Sequence, residues 1–404
     1  MKLTACVLAV LFAALTSPAL AQNDGEDPAK DARVHLGPLA LNPTVMLTNF
    51  GVDNNVFNQT DTDHPKSDFT TTVTPQTAWS VRFGRSSVIG NLKEDLVYYQ
   101  HFASERSANT TQSMALRVPL NRLTITLGDT YVNTRDRPGF EIDARSQHTQ
   151  TDYTASAEIR ALGKTFIAIR ARRGAVAFER DALFLGSSLQ QQLNRHETSV
   201  GVSARHELTP MTSVTFGIDR QEDRFEFSPL RDSSSTAVSG GVEFRPRALI
   251  GGSASLGYRS FEPVAHDIPG YQGLTARGDV AFRVLSSTKL GVQMQRDVQY
   301  SYDYDQPYYL LSGGTVSVTQ ALHGPVELAG RAGLSHLAYR GRIGAEIPLS
   351  DRIDSIHTFG TTLGYRVNHG MRVGFNIDWQ QRISDQTQHH YSGVRFGTSV
   401  TYGL

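Results

Sequence analysis

The alternation of apolar and polar residues in "HGMRVGFNIDWQQRI", residues 369–383, constrains the fold more than any other feature of the chain. One parity carries Phe375 and Trp379, and the other carries Arg372 and Arg382. Successive side chains of a β-strand point to opposite faces, so this stretch is a strand with one apolar and one polar side. A soluble sheet packed on a core and a barrel wall in a bilayer would both produce this pattern.

Similar alternating segments recur along the chain, and their number favours a barrel. Each signal is weak alone, as is typical of outer-membrane strands, in which only every second residue meets lipid. An apolar fraction of 39% suits such a wall. Further segments of this kind begin near Phe69, Met114, Leu123, Thr198, Val238, Ala276 and Val394.

The connections between these segments have two lengths. Short turns are indicated at Gly84-Arg85, Asn121, Gly163, Pro210, Pro246, Ser286, Gly324 and His369-Gly370. Longer polar stretches lie between them, an asymmetry typical of barrels with short periplasmic turns and long extracellular loops. We therefore predict an all-β chain that forms a single closed antiparallel transmembrane β-barrel of about 18 strands, within a range of roughly 16 to 18.

A soluble sandwich fits the pattern less well, because two packed sheets need inner faces dense in large aliphatic side chains. Here Ala, Gly and Thr interrupt the apolar parity, and lipid chains can fill such gaps. A sheet edge in hydrocarbon would leave backbone groups unpaired, so the last strand, in "GVRFGTSVTYGL", is expected to pair with the first. Terminal strands of this kind resemble the signal read by the barrel-assembly machinery, although Leu404 replaces the usual final aromatic residue.

The N-terminus predicts export. "MKLTACVLAVLFAALTSPALAQ" has a basic start, an apolar run and a small-residue cleavage box. We therefore expect a signal peptide at residues 1–21, a polar N-terminal segment at 22–38 and the outer-membrane barrel at 39–404. The only cysteine, Cys6, lies in the signal peptide, so the mature chain would contain no disulfide. The expected location is the outer membrane of a Gram-negative bacterium.

The sequence offers little for catalysis, and we expect no enzyme activity. It contains no G-x-S-x-G, H-E-x-x-H or P-loop motif. The pair His389-His390 has no partner ligands in the sequence, so no metal and no cofactor are expected. His206 and His336 fall on the outward parity without an identifiable serine partner. A net charge of zero gives no reason to expect nucleic acid as a partner.

Five tyrosines in "YSYDYDQPYYLL", residues 300–311, straddle a predicted outer loop. They are Tyr300, Tyr302, Tyr304, Tyr308 and Tyr309. The favoured interpretation is an aromatic girdle at the interface between lipid and water. A platform on which sugar rings stack is the alternative.

The polar parity is rich in arginine, and arginine outnumbers the acids there, which predicts a basic channel that favours anions. The predicted lining comprises Arg82, Arg117, Arg160, Arg170, Arg172, Arg205, Arg245, Arg259, Arg277, Arg283, Arg331, Arg366, Arg372, Arg382, Arg395, Asp279 and Asp378. Many of these arginines are expected to pair with neighbouring acids. Four of them lie beside short turns and are expected to ring the periplasmic mouth: Arg245, Arg283, Arg366 and Arg372.

The segment "LALNPTVMLTNFGVDNNVF", residues 39–57, resembles the first strand of outer-membrane β-barrel proteins associated with exopolysaccharide biosynthesis and export, a group called putative β-barrel porins. The likeness rests on Leu41, Pro43 and Val45 and on the turn at residues 53–57. It implies a channel that passes a secreted polysaccharide from the periplasm to the cell surface, and the basic lining predicts that this polysaccharide is anionic. The partners it implies are outer-membrane lipid, the polysaccharide substrate and a periplasmic export machinery.

Two other functions remain open at this stage. A general or sugar-selective diffusion porin for solute uptake is the main alternative to export. A structural or receptor barrel that conducts nothing is a more distant one.

Overall fold

A computed structural model describes residues 32–245, 249–284, 287–344, 352–368 and 370–403. The expected signal peptide at 1–21, most of the polar segment at 22–38, the final Leu404 and the turn residues Pro246, Ser286 and His369 lie outside the described residues.

The barrel wall consists of 18 strands, which confirms the predicted fold. They are β2 (Leu39–Asp53), β3 (Asp68–Phe83), β4 (Ser86–Tyr99), β5 (Ser107–Pro119), β6 (Leu123–Thr134), β7 (His148–Leu162), β8 (Thr165–Phe178), β11 (Arg195–Thr209), β12 (Thr212–Phe225), β13 (Ser233–Phe244), β14 (Ile250–Pro263), β15 (Tyr271–Val284), β16 (Thr288–Tyr300), β17 (Tyr308–Ala321), β18 (Val326–Arg340), β19 (Ile353–Asn368), β20 (Met371–Ile383) and β21 (Tyr391–Tyr402).

Smaller elements lie outside this wall. A short strand, β1 (Val34–Leu36), pairs with β2, and one long connection carries β9 (Leu183–Phe184), β10 (Ser187–Ser188) and the helix α1 (Leu189–Leu193). Single 3-10 turns occupy Asp61–Asp63, Ala103–Glu105, Pro229–Arg231 and Thr387–His389. No helix in the described part of the chain is long and apolar enough to cross a bilayer.

Each wall strand pairs antiparallel with its neighbours, and β2 pairs with β21 to close the ring. The register of this seam runs from Val45 opposite Tyr402 to Asp53 opposite Arg395, with a shift between Leu47 and Phe50. Asn49, within the shift, has a φ of 53°, which lies in the left-handed region. Closure leaves no strand edge in hydrocarbon, as the predicted fold requires.

Side-chain alternation separates the two faces of the wall. Phe375 and Phe396 are 45% and 44% exposed on the outer face, whereas Arg382 is fully buried on the inner face. Trp379 shares the outer parity and stacks on Phe359, with their ring centroids 5.2 Å apart. The apolar parity therefore faces outward, where lipid would surround it.

The two rims of the barrel differ in their connections. The sequence-predicted short turns at Gly84-Arg85, Asn121, Gly163, Pro210 and Gly324, which lie within the described residues, fall between consecutive wall strands at one rim. The turn residues Gly84 and Gly324 have φ values of 62° and 59°, a conformation that glycine adopts without the strain of a Cβ atom. The first wall strand begins and the last one ends at this rim, which by its short turns is the periplasmic rim.

The long connections at the opposite rim do not all extend away from the barrel. Segments from five of them fold into the lumen, and we call this set the loop plug: residues 135–147, 179–194, 226–232, 301–307 and 384–390. Ser301, Gln306 and His389 within it are at most 1% exposed. Its apolar side chains pack against Val176 and Phe178 on the inner face of β8. The outer part of the lumen is therefore filled by protein.

Candidate functional site in the barrel lumen

The sequence-assigned arginines lie on the inner parity of their strands, opposite the exposed apolar side chains, and most of them are in ion pairs with acids. N–O distances of 2.5–3.0 Å join Arg172 to Asp152 and Glu197, Arg205 to Glu158, Arg259 to Asp297, Arg331 to Asp378, Arg372 to Glu327, and Arg395 to Asp53. Asp279, assigned to the lining from the sequence, accepts a hydrogen bond from Gln293 at 3.3 Å. Four further arginines of the predicted lining form no ion pair with a carboxylate of the described residues: Arg160, Arg170, Arg277 and Arg283.

Three of the four arginines that are expected to ring the periplasmic mouth have an acid beside them. Glu327 lies 2.5 Å from Arg372 and 3.6 Å from Arg366. Arg245 is 3.1 Å from Glu207. Glu327 thus serves two arginines, which the sequence alone does not reveal. Neighbouring strands bring these acids across from the arginines, so the lining is more nearly neutral than we expected.

Glu141 lies at the centre of the loop plug and is 2% exposed. Its Oε1 atom accepts a hydrogen bond from the Ser301 hydroxyl at 2.6 Å, and its Oε2 atom accepts one from the backbone N–H of Tyr302 at 3.1 Å. Burial raises the pKa of this carboxyl to about 7, because desolvation outweighs those hydrogen bonds and the positive charges of Arg382 and Arg352. The plug therefore contains a carboxyl that titrates near neutral pH.

Arg382 joins the loop plug to the barrel wall. Its guanidinium, on the inner face of β20, donates to Asp143 at 2.6 Å and to the carbonyl oxygen of Glu141 at 2.8 Å, both in the 135–147 loop. It also donates to Asp354 on β19 at 2.5 Å. The residue was assigned to the lining from the sequence, but its link to a loop about 240 residues away in the chain was not foreseen.

Arg231 joins three segments of the plug to one another. One of its Nη atoms donates to the carbonyl oxygen of Pro307 at 2.7 Å and also to that of Ser301. The other donates to the carbonyl oxygen of Gln192 at 3.0 Å. Burial lowers the pKa of this guanidinium to about 10, so it remains charged at neutral pH.

An apolar cluster completes the plug. Ile142, Phe184, Leu189 and Leu193 pack with Tyr302, whose ring centroid is 4.8 Å from that of Phe184. His389, considered above as a metal ligand, lies in this region with its Nε2 atom 3.4 Å from the Tyr302 hydroxyl. Burial lowers the pKa of His389 to about 3, so its ring is neutral at neutral pH. Within the described ranges, no group of three or more His, Cys, Asp or Glu side chains could hold a metal ion.

The five tyrosines at residues 300–309 form neither a girdle nor a sugar platform. Pairing between β15 and β16 stops at Ala276 opposite Arg296, and beyond it the β16–β17 hairpin bends into the barrel. Tyr308 and Tyr309 are 1% and 4% exposed, so they present no ring face to lipid or to a sugar.

The bend brings Tyr300 to the inner wall. Its hydroxyl hydrogen-bonds Asp223 on β12 and Ser233 on β13, each at 2.6 Å. Tyr304 alone of the five is largely exposed, and the Arg342 guanidinium lies 4.2 Å from its ring centroid.

A cavity of about 390 Å³ lies on the inner wall at the periplasmic rim. We call it the basic cavity; it is lined by Arg117, Asn121, Arg122, Thr124, Glu158, Arg160, Phe166, Glu207 and Arg245. Arg117, Arg160 and Arg245 were assigned to the lining from the sequence, but their common cavity was not foreseen. Arg122 was not assigned, because a turn residue has no strand parity from which its direction could be inferred.

Two outward-facing histidines have hydroxyl partners that the sequence did not reveal. His336 Nδ1 lies 2.9 Å from the Ser355 hydroxyl, and His206 Nδ1 lies 2.9 Å from the Thr165 hydroxyl. Both are contacts between neighbouring strands, and no carboxylate of the described residues pairs with either imidazole. Neither pair therefore has, among the described residues, a carboxylate that would orient the imidazole as the base of an activated nucleophile.

A comparison with known proteins identifies the family of this barrel. The family described as Putative beta-barrel porin 2 has a model that matches residues 27–403. The chain belongs to this family. Porin barrels are outer-membrane channels, so this chain is an outer-membrane barrel of the channel type. No curated protein matches it.

Solved structures with a similar barrel are distant in sequence from this porin-family chain. A BenF-like porin from Pseudomonas fluorescens Pf-5 has a TM-score of 0.51 at 11% identity, with 91% of this chain and 98% of that chain covered. The outer membrane protein opdK from Pseudomonas aeruginosa has a TM-score of 0.47 at 13% identity, with 90% and 98% covered. At such identities the likeness concerns the fold alone.

Proposed function

We propose that this chain is a gated, solute-selective diffusion porin whose outer end opens when the loop plug leaves the lumen. The observation that supports the proposal is the position of the plug, which fills the outer lumen above a polar inner wall. Its attachment to the wall through Arg382 consists of ion pairs and hydrogen bonds, which can break and re-form without unfolding a strand. The selected solutes are small and polar, since a partly opened plug leaves a narrow passage.

Export of an anionic exopolysaccharide is the second candidate. It is supported by the resemblance in residues 39–57 and by the location of the basic cavity at the rim where a periplasmic polymer would enter. It requires the whole plug to move aside, because a polymer chain must occupy the full length of the lumen at once. In this candidate function a periplasmic export machinery is the partner of the barrel. The signal peptide directs the chain itself out of the cytoplasm, and the barrel-assembly machinery inserts it into the outer membrane.

Conductance of the purified full-length chain in planar bilayers tests the channel proposal. We expect brief openings for the wild type and longer ones when the plug is destabilised. Absence of any conductance, in wild type and in plug variants alike, would favour the third alternative, a structural or receptor barrel.

A deletion strain separates the two transport candidates. Loss of secreted polymer with unchanged uptake of small anionic solutes supports export. Slower uptake with normal polymer secretion supports the porin.

A further inference from the structure

The basic cavity is formed by side chains from six strands of the wall and from one turn. Arg117 comes from β5, and Asn121 and Arg122 come from the turn that follows it. The remaining lining residues come from β6, β7, β8 and β11 and from the end of β13. A cavity of about 390 Å³ lies in the range that holds small organic ligands in proteins.

The charges around the cavity do not balance. Its two acids, Glu158 and Glu207, are already engaged: Arg205 lies 2.9 Å from Glu158, and Arg245 lies 3.1 Å from Glu207. Arg122 and Arg160 form no ion pair with any carboxylate of the described residues. Arg122 and Arg160 therefore add positive charge that these two glutamates, each already paired with another arginine, do not neutralise.

Phe166 keeps part of this cluster in place. It is 8% exposed, with the Arg160 guanidinium 5.2 Å and the Arg205 guanidinium 4.2 Å from its ring centroid. Such cation–π contacts restrict the arginine side chains before any ligand arrives. Less conformational freedom is then lost when Arg160 binds an anion.

We propose that the basic cavity binds a sugar-sized molecule that carries a carboxylate or a phosphate. Arg122 and Arg160 would hold the anionic group, because guanidinium groups bind both kinds of oxyanion in a bidentate manner. Asn121 and Thr124 supply polar groups for hydroxyls beside it. Only the position of this ligand on a transport path rests on the proposed channel function. The cavity can bind the ligand whether or not the barrel conducts.

Isothermal titration calorimetry on the detergent-solubilised full-length chain tests the site, with D-galacturonate as the charged probe and D-galactose as the neutral one. We expect galacturonate to bind, more weakly as salt rises, and galactose to show no heat of binding. The double variant Arg122→Gln/Arg160→Gln should bind galacturonate about tenfold more weakly or worse. Arg283→Gln is the matched control, an arginine at the same rim that lies outside the cavity, and it should bind like the wild type.

Equal binding of both sugars by the wild type, or no binding of galacturonate, would overturn the proposal even if the double variant failed to fold. Unchanged galacturonate binding in a folded double variant would also overturn it. Binding without conductance would refute the proposed transport function and leave this site intact. Conductance without galacturonate binding would refute this site and leave the proposed transport function intact.

Discussion

Replacing Arg382 by methionine should release the loop plug from the wall. Methionine keeps much of the side-chain volume but leaves Asp143 and Asp354 without this cation. Breaking a buried ion pair by removing one partner costs about 3–5 kcal/mol. Asp354 lies on the wall, so only the contacts of Arg382 with Asp143 and with Glu141 favour the closed plug, and we take the lower end, about 3 kcal/mol. Since 1.4 kcal/mol is a factor of ten, the ratio of closed to open plug should fall by about a hundredfold.

Single-channel recording in planar bilayers measures this ratio directly as open probability. Arg395→Met is the matched control: Arg395 also lies on the inner wall and pairs with a carboxylate, Asp53, but on the adjacent strand β2 and not on a plug loop. It should lower barrel stability without lengthening the openings. A heat-shift assay on gels confirms that both variants still form barrels.

An Arg382→Met barrel that is folded but opens no more often than the wild type would refute this reasoning. So would an equal increase in the Arg395→Met barrel, because the effect would then belong to the wall and not to the plug.

Three further predictions concern pH, ion selectivity and side-chain direction. The carboxyl of Glu141 has its pKa raised from 4.5 to about 7 in the closed plug, so closure is favoured at low pH and loses up to ~3 kcal/mol as pH rises through this window. Open probability should therefore be higher at pH 8 than at pH 5, and Glu141→Gln should abolish the difference. Glu327→Gln removes the acid shared by Arg366 and Arg372, so the reversal potential of an open channel should shift toward anions; an unchanged potential would mean that permeating ions do not sense this rim. A Phe396→Cys barrel in intact membranes should resist a membrane-impermeant maleimide, and rapid labelling would contradict its outward direction.

The wall could be predicted from the sequence because its determinants are local. Alternation of period two identifies a strand and its faces, and turn residues such as Gly84 and Gly324 mark where the strands reverse. Strand β20, from Met371 to Ile383, follows this rule along its length. The closed barrel then follows from the cost of unpaired backbone groups in lipid.

The loop plug could not be predicted in this way. Its determinants are contacts between distant parts of the chain, such as the one between Asp143 and Arg382. A polar loop has the same sequence pattern whether it extends outward or folds inward. The tyrosines at residues 300–309 were misinterpreted for that reason. The charge balance of the lining could not be predicted for the same reason. Pairing Glu327 with both Arg366 and Arg372 requires the register of three strands.

The separation between the plug and its anchor also sets a condition on assembly. Arg382 belongs to the last strand but one, whereas the loop it binds follows β6, so the contact spans 239 residues. Contacts of such sequence separation form late, after the intervening chain has been brought together. The seam between β2 and β21 spans still more of the chain, with 342 residues between Asp53 and Arg395, so the wall and the plug both depend on the last two strands. A chain truncated before β20 would therefore lack both the strand that closes the wall and the arginine that anchors the plug.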